Sequence, residues 1–209
     1  MKTNNIPYRR SLFITIVLAL LVSFPAQAQL SDKGYATIDW QFNIPLNNHF
    51  ADNASGWGMN MEGGYFVTPQ IGIGLFLSYH TNHEYIPRQT FRLITGDVTT
   101  DQQHTLFQLP FGASIQYQWN RGQTIQPYVG AKLGAEYAKA RSNFAALEAR
   151  DNCWGFYASP EIGIHLFPWC YSPGLHAALY YSYGSNKARL LHYHVGGLSN
   201  FGFRLGVSF

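Results

Sequence analysis

The feature that most constrains this chain is an alternation of large apolar with small or polar residues that recurs eight times. It is clearest in the closing FGFRLGVSF, where Phe201, Phe203, Leu205, Val207 and Phe209 are separated by Gly202, Arg204, Gly206 and Ser208. In YATIDWQFNI the set Ala36, Ile38, Trp40, Phe42 and Ile44 opposes Tyr35, Thr37, Asp39, Gln41 and Asn43. Successive side chains of a strand point to opposite faces, so a period of two gives one apolar face and one polar face. One such segment says little. Eight in succession, each near the length that crosses a bilayer at a tilt, predict a barrel that turns its apolar face to lipid.

The other six segments follow the same rule. Trp57, Met59, Met61, Tyr65 and Val67 oppose Asn60 and Glu62; Ile71, Ile73, Leu75, Leu77 and Tyr79 oppose Gly72, Gly74, Ser78 and His80. Phe107, Leu109, Phe111, Ile115, Tyr117 and Trp119 oppose Gln108, Gly112, Ser114 and Gln116. Val129, Ala131, Leu133 and Tyr137 oppose Lys132 and Glu136, and Trp154, Phe156, Ile162, Ile164 and Leu166 oppose Glu161 and His165. Leu175, Leu179, Tyr181 and Tyr183 mark the seventh. Short turns at 68–70, 120–124 and 167–173 alternate strictly with longer polar connectors at 45–55, 81–103, 139–152 and 185–191. That rhythm predicts an all-β, eight-stranded antiparallel up-and-down transmembrane β-barrel, with turns in the periplasm and loops outside. Closure is a hydrogen-bonding necessity, because lipid offers no partner to the amides and carbonyls of a free strand edge. A soluble lipocalin-like barrel alternates too, but buries its apolar face. Here the opposite face is small and glycine-rich with isolated charges, and Trp40, Trp57, Trp119 and Trp154 fall toward strand ends, where amphipathic rings anchor at the interface.

The first residues read differently. Lys2, Arg9 and Arg10 precede the apolar run SLFITIVLALLVSF, and Ala26-Gln27-Ala28 has the small-x-small form of a signal-peptidase site. Residues 1–28 are therefore expected to be a signal peptide and 29–209 the barrel domain. That leader holds three of the 14 basic residues and none of the 11 acidic ones, so the mature chain is formally neutral and a nucleic-acid partner is not expected. Cys153 and Cys170 flank one apparent strand, too far apart along it for a disulfide, and are expected to be unpaired.

The hairpin YFVTPQIGIGLFLSY, QPYVGAKLGAEY, YASPEIGIHLF and the closing NFGFRLGVSF resemble the outer-membrane β-barrel family that includes the OmpA transmembrane domain and OmpX. The resemblance covers essentially the whole mature chain and implies localisation in the outer membrane of a Gram-negative-type bacterium. It also implies a monomer surrounded by outer-membrane lipid, and a terminal aromatic, Phe209, read by the barrel-assembly machinery during insertion. It specifies architecture well and activity poorly, since such barrels include anchors, adhesins, secretion accessories and a few enzymes.

Three sets of residues are candidates for chemistry. Asp39, Glu62, Lys132, Glu161 and Arg204 fall at similar heights inside the barrel, with Glu136 higher, and are expected to meet as a desolvated plug in an interior just wide enough for side chains. The bland role of such a plug is structural, and the alternative is a gated conduit. His80, His83 and His104 bracket the connector that opens at Thr81 and closes at Gln103, and are candidate metal ligands only if that loop brings them together. His165 and His176 are expected to be hydrogen-bonding groups in the lumen. The third set tests for an enzyme. The lipid A deacylase PagL is also a small outer-membrane barrel, with a His-x-Ser-Asn signature. The nearest match here, Tyr183-Gly184-Ser185-Asn186, has tyrosine in place of the base that takes the serine proton, and Leu198-Ser199-Asn200 lacks the histidine as well. The leading expectation is a non-enzymatic envelope or surface-interaction protein without a cofactor, meeting any extracellular ligand through residues 81–103. A small porin and a lipid-modifying enzyme are the alternatives.

Overall fold

The computed structural model describes residues 33–46, 50–93, 96–144, 147–168, 173–190 and 193–209; the leader segment and Cys170 lie outside them. Eight antiparallel strands follow one another: β1 (Gly34–Leu46), β2 (Gly58–Phe66), β3 (Ile71–Leu93), β4 (Gly96–Gln118), β5 (Ile125–Phe144), β6 (Leu147–Leu166), β7 (Gly174–Leu190) and β8 (Tyr193–Ser208). Each pairs with its neighbour in sequence, and β8 pairs with β1 from Thr37↔Ser208 to Leu46↔Ser199, which closes the ring. Phe209 completes that seam. Its amide donates to the Ala36 carbonyl at 2.8 Å and its own carbonyl accepts from the Ala36 amide at 3.2 Å. No edge remains for lipid to leave unsatisfied at the seam.

The faces fall as the alternation requires. Ile38, Leu75, Leu133, Ile162, Leu179 and Leu205 point outward, while Thr37, Asp39, Ser78, Lys132, Glu161 and Arg204 are buried inside. Where an aromatic ring must enter the lumen, glycines make room. Gly64 and Gly74 face each other across β2 and β3, and a Cβ on either would come within 2.6 or 2.7 Å of the Tyr35 hydroxyl oxygen. Turns at the inner end are tight: Ile71 N–H donates to Thr68 Oγ1 at 3.0 Å, and Asn120 (φ 54°) and Gly122 (φ 88°) turn β4 into β5.

Two sequence expectations need correcting. Where the structure describes them, the connectors 81–103, 139–152 and 185–191 are strand and not loop. β3 and β4 continue as one hairpin to Leu93 and Gly96, β5 and β6 to Phe144 and Leu147, and β7 and β8 to Leu190 and Tyr193. Their polarity reflects water outside the sheet, not the absence of a sheet, and pairs such as Thr90 Oγ1···Thr99 Oγ1 at 2.9 Å favour the ladder. Trp40 is the second. It lies at mid-strand opposite Leu205 and Met59, and its indole N–H donates to the Gly56 carbonyl at 2.6 Å, so its polar end is satisfied by protein. Trp57, Trp119 and Trp154 remain near the rims, largely exposed on the outer face.

Above the rim the ring is not continuous. The β2–β3 ladder stops at Gly58↔His80 and the β6–β7 ladder at Tyr157↔Gly184. β3 to β6 therefore rise beyond it as a four-stranded sheet, and β7–β8 as a separate hairpin with a register shift between Gly184 and Lys187.

Candidate functional site: the lumen and its outer mouth

The lumen is filled in layers, each positioned by inward residues of several strands. The charged layer is centred on Lys132 of β5. Its ammonium lies 2.8 Å from Glu62 Oε2 and 3.0 Å from Glu161 Oε2, and donates to Asn60 Oδ1 at 3.3 Å. Arg204 of β8 pairs with Glu161, donates through Nε to Gln41 Oε1 at 3.0 Å, and lays its guanidinium 4.1 Å from the centre of the Tyr180 ring. Asp39 accepts from Asn60 Nδ2 at 2.9 Å and meets His176 Nδ1 at 2.6 Å, and His176 Nε2 lies 2.7 Å from the Tyr128 hydroxyl. Tyr128 and Tyr35 donate to Glu161 and Glu62, each at 3.2 Å. Each of these groups is at most 8% exposed. Charges this far from water are tolerable only when paired and hydrogen-bonded, and each carboxylate here has a cation or an imidazole within reach.

Glu136 is different. It is 1% exposed and stands above this layer, with neither carboxyl oxygen hydrogen-bonded among the described residues. The sequence grouped it with the charged plug; its place four residues beyond Lys132 on β5 separates it. The lumenal histidines also part company. His176 is hydrogen-bonded on both nitrogens, whereas His165 has no hydrogen-bond partner on either among the described residues and instead stacks on Tyr128 and His176 at 4.8 and 4.7 Å between ring centres.

A second layer of uncharged polar groups lies above. Ser78 donates to Gln41 Oε1 at 3.0 Å, Gln41 Nε2 lies 3.3 Å from His80 Nδ1, and Asn200 Nδ2 sits between His80 Nε2 at 3.4 Å and Gln108 Oε1 at 3.2 Å. Above it the lining turns apolar. Phe50, Ala51, Leu106, Ala138, Ala140 and Leu198 form a buried cluster against which Ala149 and the free thiol of Cys153 pack. Phe50 and Ala51 belong to the β1–β2 connector, which the sequence presents as a polar outward loop. Its apolar pair turns into the mouth instead. There Phe50 stacks on His104 with ring centres 4.3 Å apart, His104 Nδ1 lies 2.8 Å from the Phe50 carbonyl, and Asn82 Nδ2 donates to the Asn53 carbonyl at 3.2 Å. His104 lies well above the membrane rim, and burial holds its imidazole below the usual histidine range. The pair Phe50-Ala51 amid NNH and DNAS is the one signal that could have revealed this cap.

The histidines proposed as metal ligands are not brought together. His80 is inside the barrel and His104 four rungs higher in the cap, while His83 is exposed on the outer face, 3.2 Å from Thr105 Oγ1. Among the described residues no group of three or more His, Cys, Asp or Glu side chains could hold a metal ion. The residues tested for a hydrolase are also dispersed. Ser185 Oγ accepts the Phe156 amide at 2.8 Å, Asn186 turns inward, and Ser199 Oγ accepts from the Tyr181 hydroxyl at 3.3 Å. On the outer face of the β5–β6 hairpin, Glu148 bridges Arg141 at 2.8 Å and Arg150 at 3.2 Å, exposed pairs that contribute little stability.

The architecture agrees with known proteins. Residues 14–209 match the outer membrane protein beta-barrel domain family. Among solved structures, Neisserial surface protein A is 13% identical, with a TM-score of 0.51 and a match covering 84% of this chain and 95% of that one. Ail, the attachment invasion locus protein of Yersinia pestis, is 12% identical with a TM-score of 0.47, covering 85% and 98%. Outer Membrane Protein W of E. coli is 16% identical with a TM-score of 0.44, covering 85% and 96%. At such identities the likeness concerns the fold. No curated protein matches the chain. With a closed eight-stranded ring, a lipid-facing apolar band and a family match over nearly its whole length, the chain belongs to the outer-membrane β-barrel domain family and resides in the Gram-negative outer membrane.

Proposed function

We propose that this protein is a non-enzymatic outer-membrane barrel that conducts nothing and acts through its outer hairpins, as an envelope-structural or surface-interaction protein. The observation that carries this reading is the double closure of the lumen. The ion-paired layer around Lys132, Glu62, Glu161 and Arg204 fills the membrane interior, and the Phe50–Leu106–Leu198 cluster fills the outer mouth. A pore needs a continuous column of water, and these two layers leave protein side chains in its place. The hairpin built from 81–103 offers exposed Tyr85 and His83 to a ligand outside the cell. Ser185, held by a backbone amide and with no histidine in its motif, favours this reading over lipid hydrolysis. Phe209, paired to β1 at the seam, acts during assembly: its deletion slows insertion by the barrel-assembly machinery more than it weakens the finished barrel.

Reconstitution into a planar bilayer tests the proposal. The expected result is no steady conductance from protein whose folded state is verified by heat-modifiable gel migration. A stable open channel overturns the reading in favour of a small porin. Loss of lipid A acyl chains that depends on Ser185 would overturn it in favour of an enzyme.

A further inference from the structure

Asn186 is wholly buried, and its orientation is fixed by what it donates to. Nδ2 reaches the main-chain carbonyl of Glu136 at 3.0 Å and that of Cys153 at 3.3 Å. Two carbonyl acceptors demand the NH2 group there, so Oδ1 must point the other way, and it has no partner among the described residues. It lies beside Gly155 and Gly184, where Glu136 Oε2 also lies. A Cβ built on Gly184 would collide with Glu136 Oε2 and lie 3.0 Å from Asn186 Oδ1, so both oxygens crowd one point on β7. A Cβ on Gly155 would collide with the same Oδ1 and lie 2.7 Å from Asn186 Cγ. Two glycines, on β6 and β7, thus make the space in which an acid and an amide oxygen meet.

Two acceptors set beside one point repel unless a donor stands between them. Among the described residues no cation pairs with Glu136. Lys132, the inward-facing base on β5, is held by Glu62 and Glu161. β4 brings Gln108 and Pro110 toward this region, β6 brings Cys153 and Tyr157, β7 Ser182, and β8 Leu198 and Asn200; His80 of β3 is engaged with Gln41. A buried carboxyl without a countercharge takes up a proton in preference to staying ionised. We propose that Glu136 is a neutral carboxylic acid that donates its proton to Asn186 Oδ1, forming a protonation-dependent latch that ties β7 to β5 and β6 at the outer rim.

The latch has a place in the fold. The β6–β7 ladder ends at Tyr157↔Gly184, immediately below it, and the Asn186 side chain takes over from the backbone by binding carbonyls of both β5 and β6. Ionising Glu136 sets a negative charge against Asn186 Oδ1 and releases β7 from its neighbours. Glutamine at this position reproduces the neutral acid, since its NH2 group donates to the same oxygen.

Infrared spectroscopy of the folded protein in lipid vesicles, with 13C-carboxyl-labelled glutamate, tests this. At neutral pH the expected spectrum contains the carbonyl stretch of one protonated glutamic acid, absent from Glu136→Gln. The denaturant midpoints of wild type and Glu136→Gln coincide at neutral pH, and only that of wild type falls as the pH is raised. If Glu136→Gln does not fold, Asn186→Ala provides the assignment by shifting the acid carbonyl to the frequency of an unbonded carboxyl. A spectrum with every glutamate ionised at neutral pH, with or without added salt, overturns the proposal. So does an acid band unmoved by Asn186→Ala.

Discussion

The membrane-spanning barrel and the hairpins above it are built from the same strands by the same alternation, yet with opposite insides. On β5, Val129, Leu133 and Tyr137 face outward and Tyr128, Lys132 and Glu136 inward. Two residues higher the pattern inverts: Lys139 and Arg141 face outward, and Ala138 and Ala140 are buried. β4 follows only in part: Leu106 is inward beside Ala140, whereas Gln108, paired with Ala138, and the buried His104 and Gln102 above it are polar. The cause is the solvent. In lipid the apolar face is welcome outside and the polar groups must satisfy one another within, whereas in water the apolar face has only the interior in which to hide. The outer half is thus an ordinary water-soluble sheet grafted on a membrane barrel, and the Tyr137–Trp154 contact, with ring centres 5.2 Å apart, marks the level of the graft.

The two halves should therefore fail in different ways. The largest effect is expected from Lys132→Ala, which strands Glu62 in the lumen and leaves Glu161 to Arg204 alone; by the cost of breaking a buried pair, stability falls by about 3–5 kcal/mol. Urea unfolding in lipid vesicles, followed by tryptophan fluorescence, measures it. Above the rim the corresponding lesion is apolar: Leu106→Ala, at a site 1% exposed, is expected to cost about 3 kcal/mol through lost burial and an unfilled cavity. An equal effect from Gln108→Ala would mean that the cap is not where the outer half is held. A paired substitution probes the outer face directly. Leu133→Arg places a charge against lipid and is expected to cost roughly 2 kcal/mol, while Lys139→Leu, six residues along the same face, changes stability by roughly 0.5 kcal/mol or less. Similar costs for both would remove the distinction between the two solvents.

Acid should act on the outer half first. The folded state holds His104 below its unfolded value, so its contribution is present above the ordinary histidine range and is lost as pH falls through that range and below it. A His104→Gln variant is expected to lack this acid-side decline in the midpoint. The smallest effect is that of Glu148→Gln, whose ion pairs are exposed and whose loss is expected to cost about 0.5 kcal/mol or less, falling further with added salt.

Much of the lower barrel was legible in the sequence because lipid leaves strands so few options. The faces of all eight strands and the inward position of Asp39, Glu62, Lys132, Glu161 and Arg204 follow from parity alone. The outer half is less legible because a polar run in water reads as loop and as strand alike. Residues 81–103 are polar on a face that meets water, and carrying the alternation past Thr81 would have placed His80 and His83 on opposite sides of β3. Partners distant in sequence were not legible. Nothing in parity joins Asp39 to His176, Glu136 to Asn186, or Phe50 to His104, since these depend on how far strands are staggered around the ring. The Phe50 cap lies on a connector where no periodicity operates.

On β5 the inside changes from Lys132 and Glu136 to Ala138 and Ala140 at the rim while the strand stays closed to water throughout. Single spin labels at each position from 128 to 142 of β5, with Cys153 and Cys170 replaced by alanine, report it through collision with oxygen and with a water-soluble nickel chelate. Oxygen contact is expected at odd positions up to Tyr137, nickel contact at odd positions from Lys139 upward, and protection from both at even positions. Nickel contact at 138 and 140 would show water in the mouth of the barrel and contradict it.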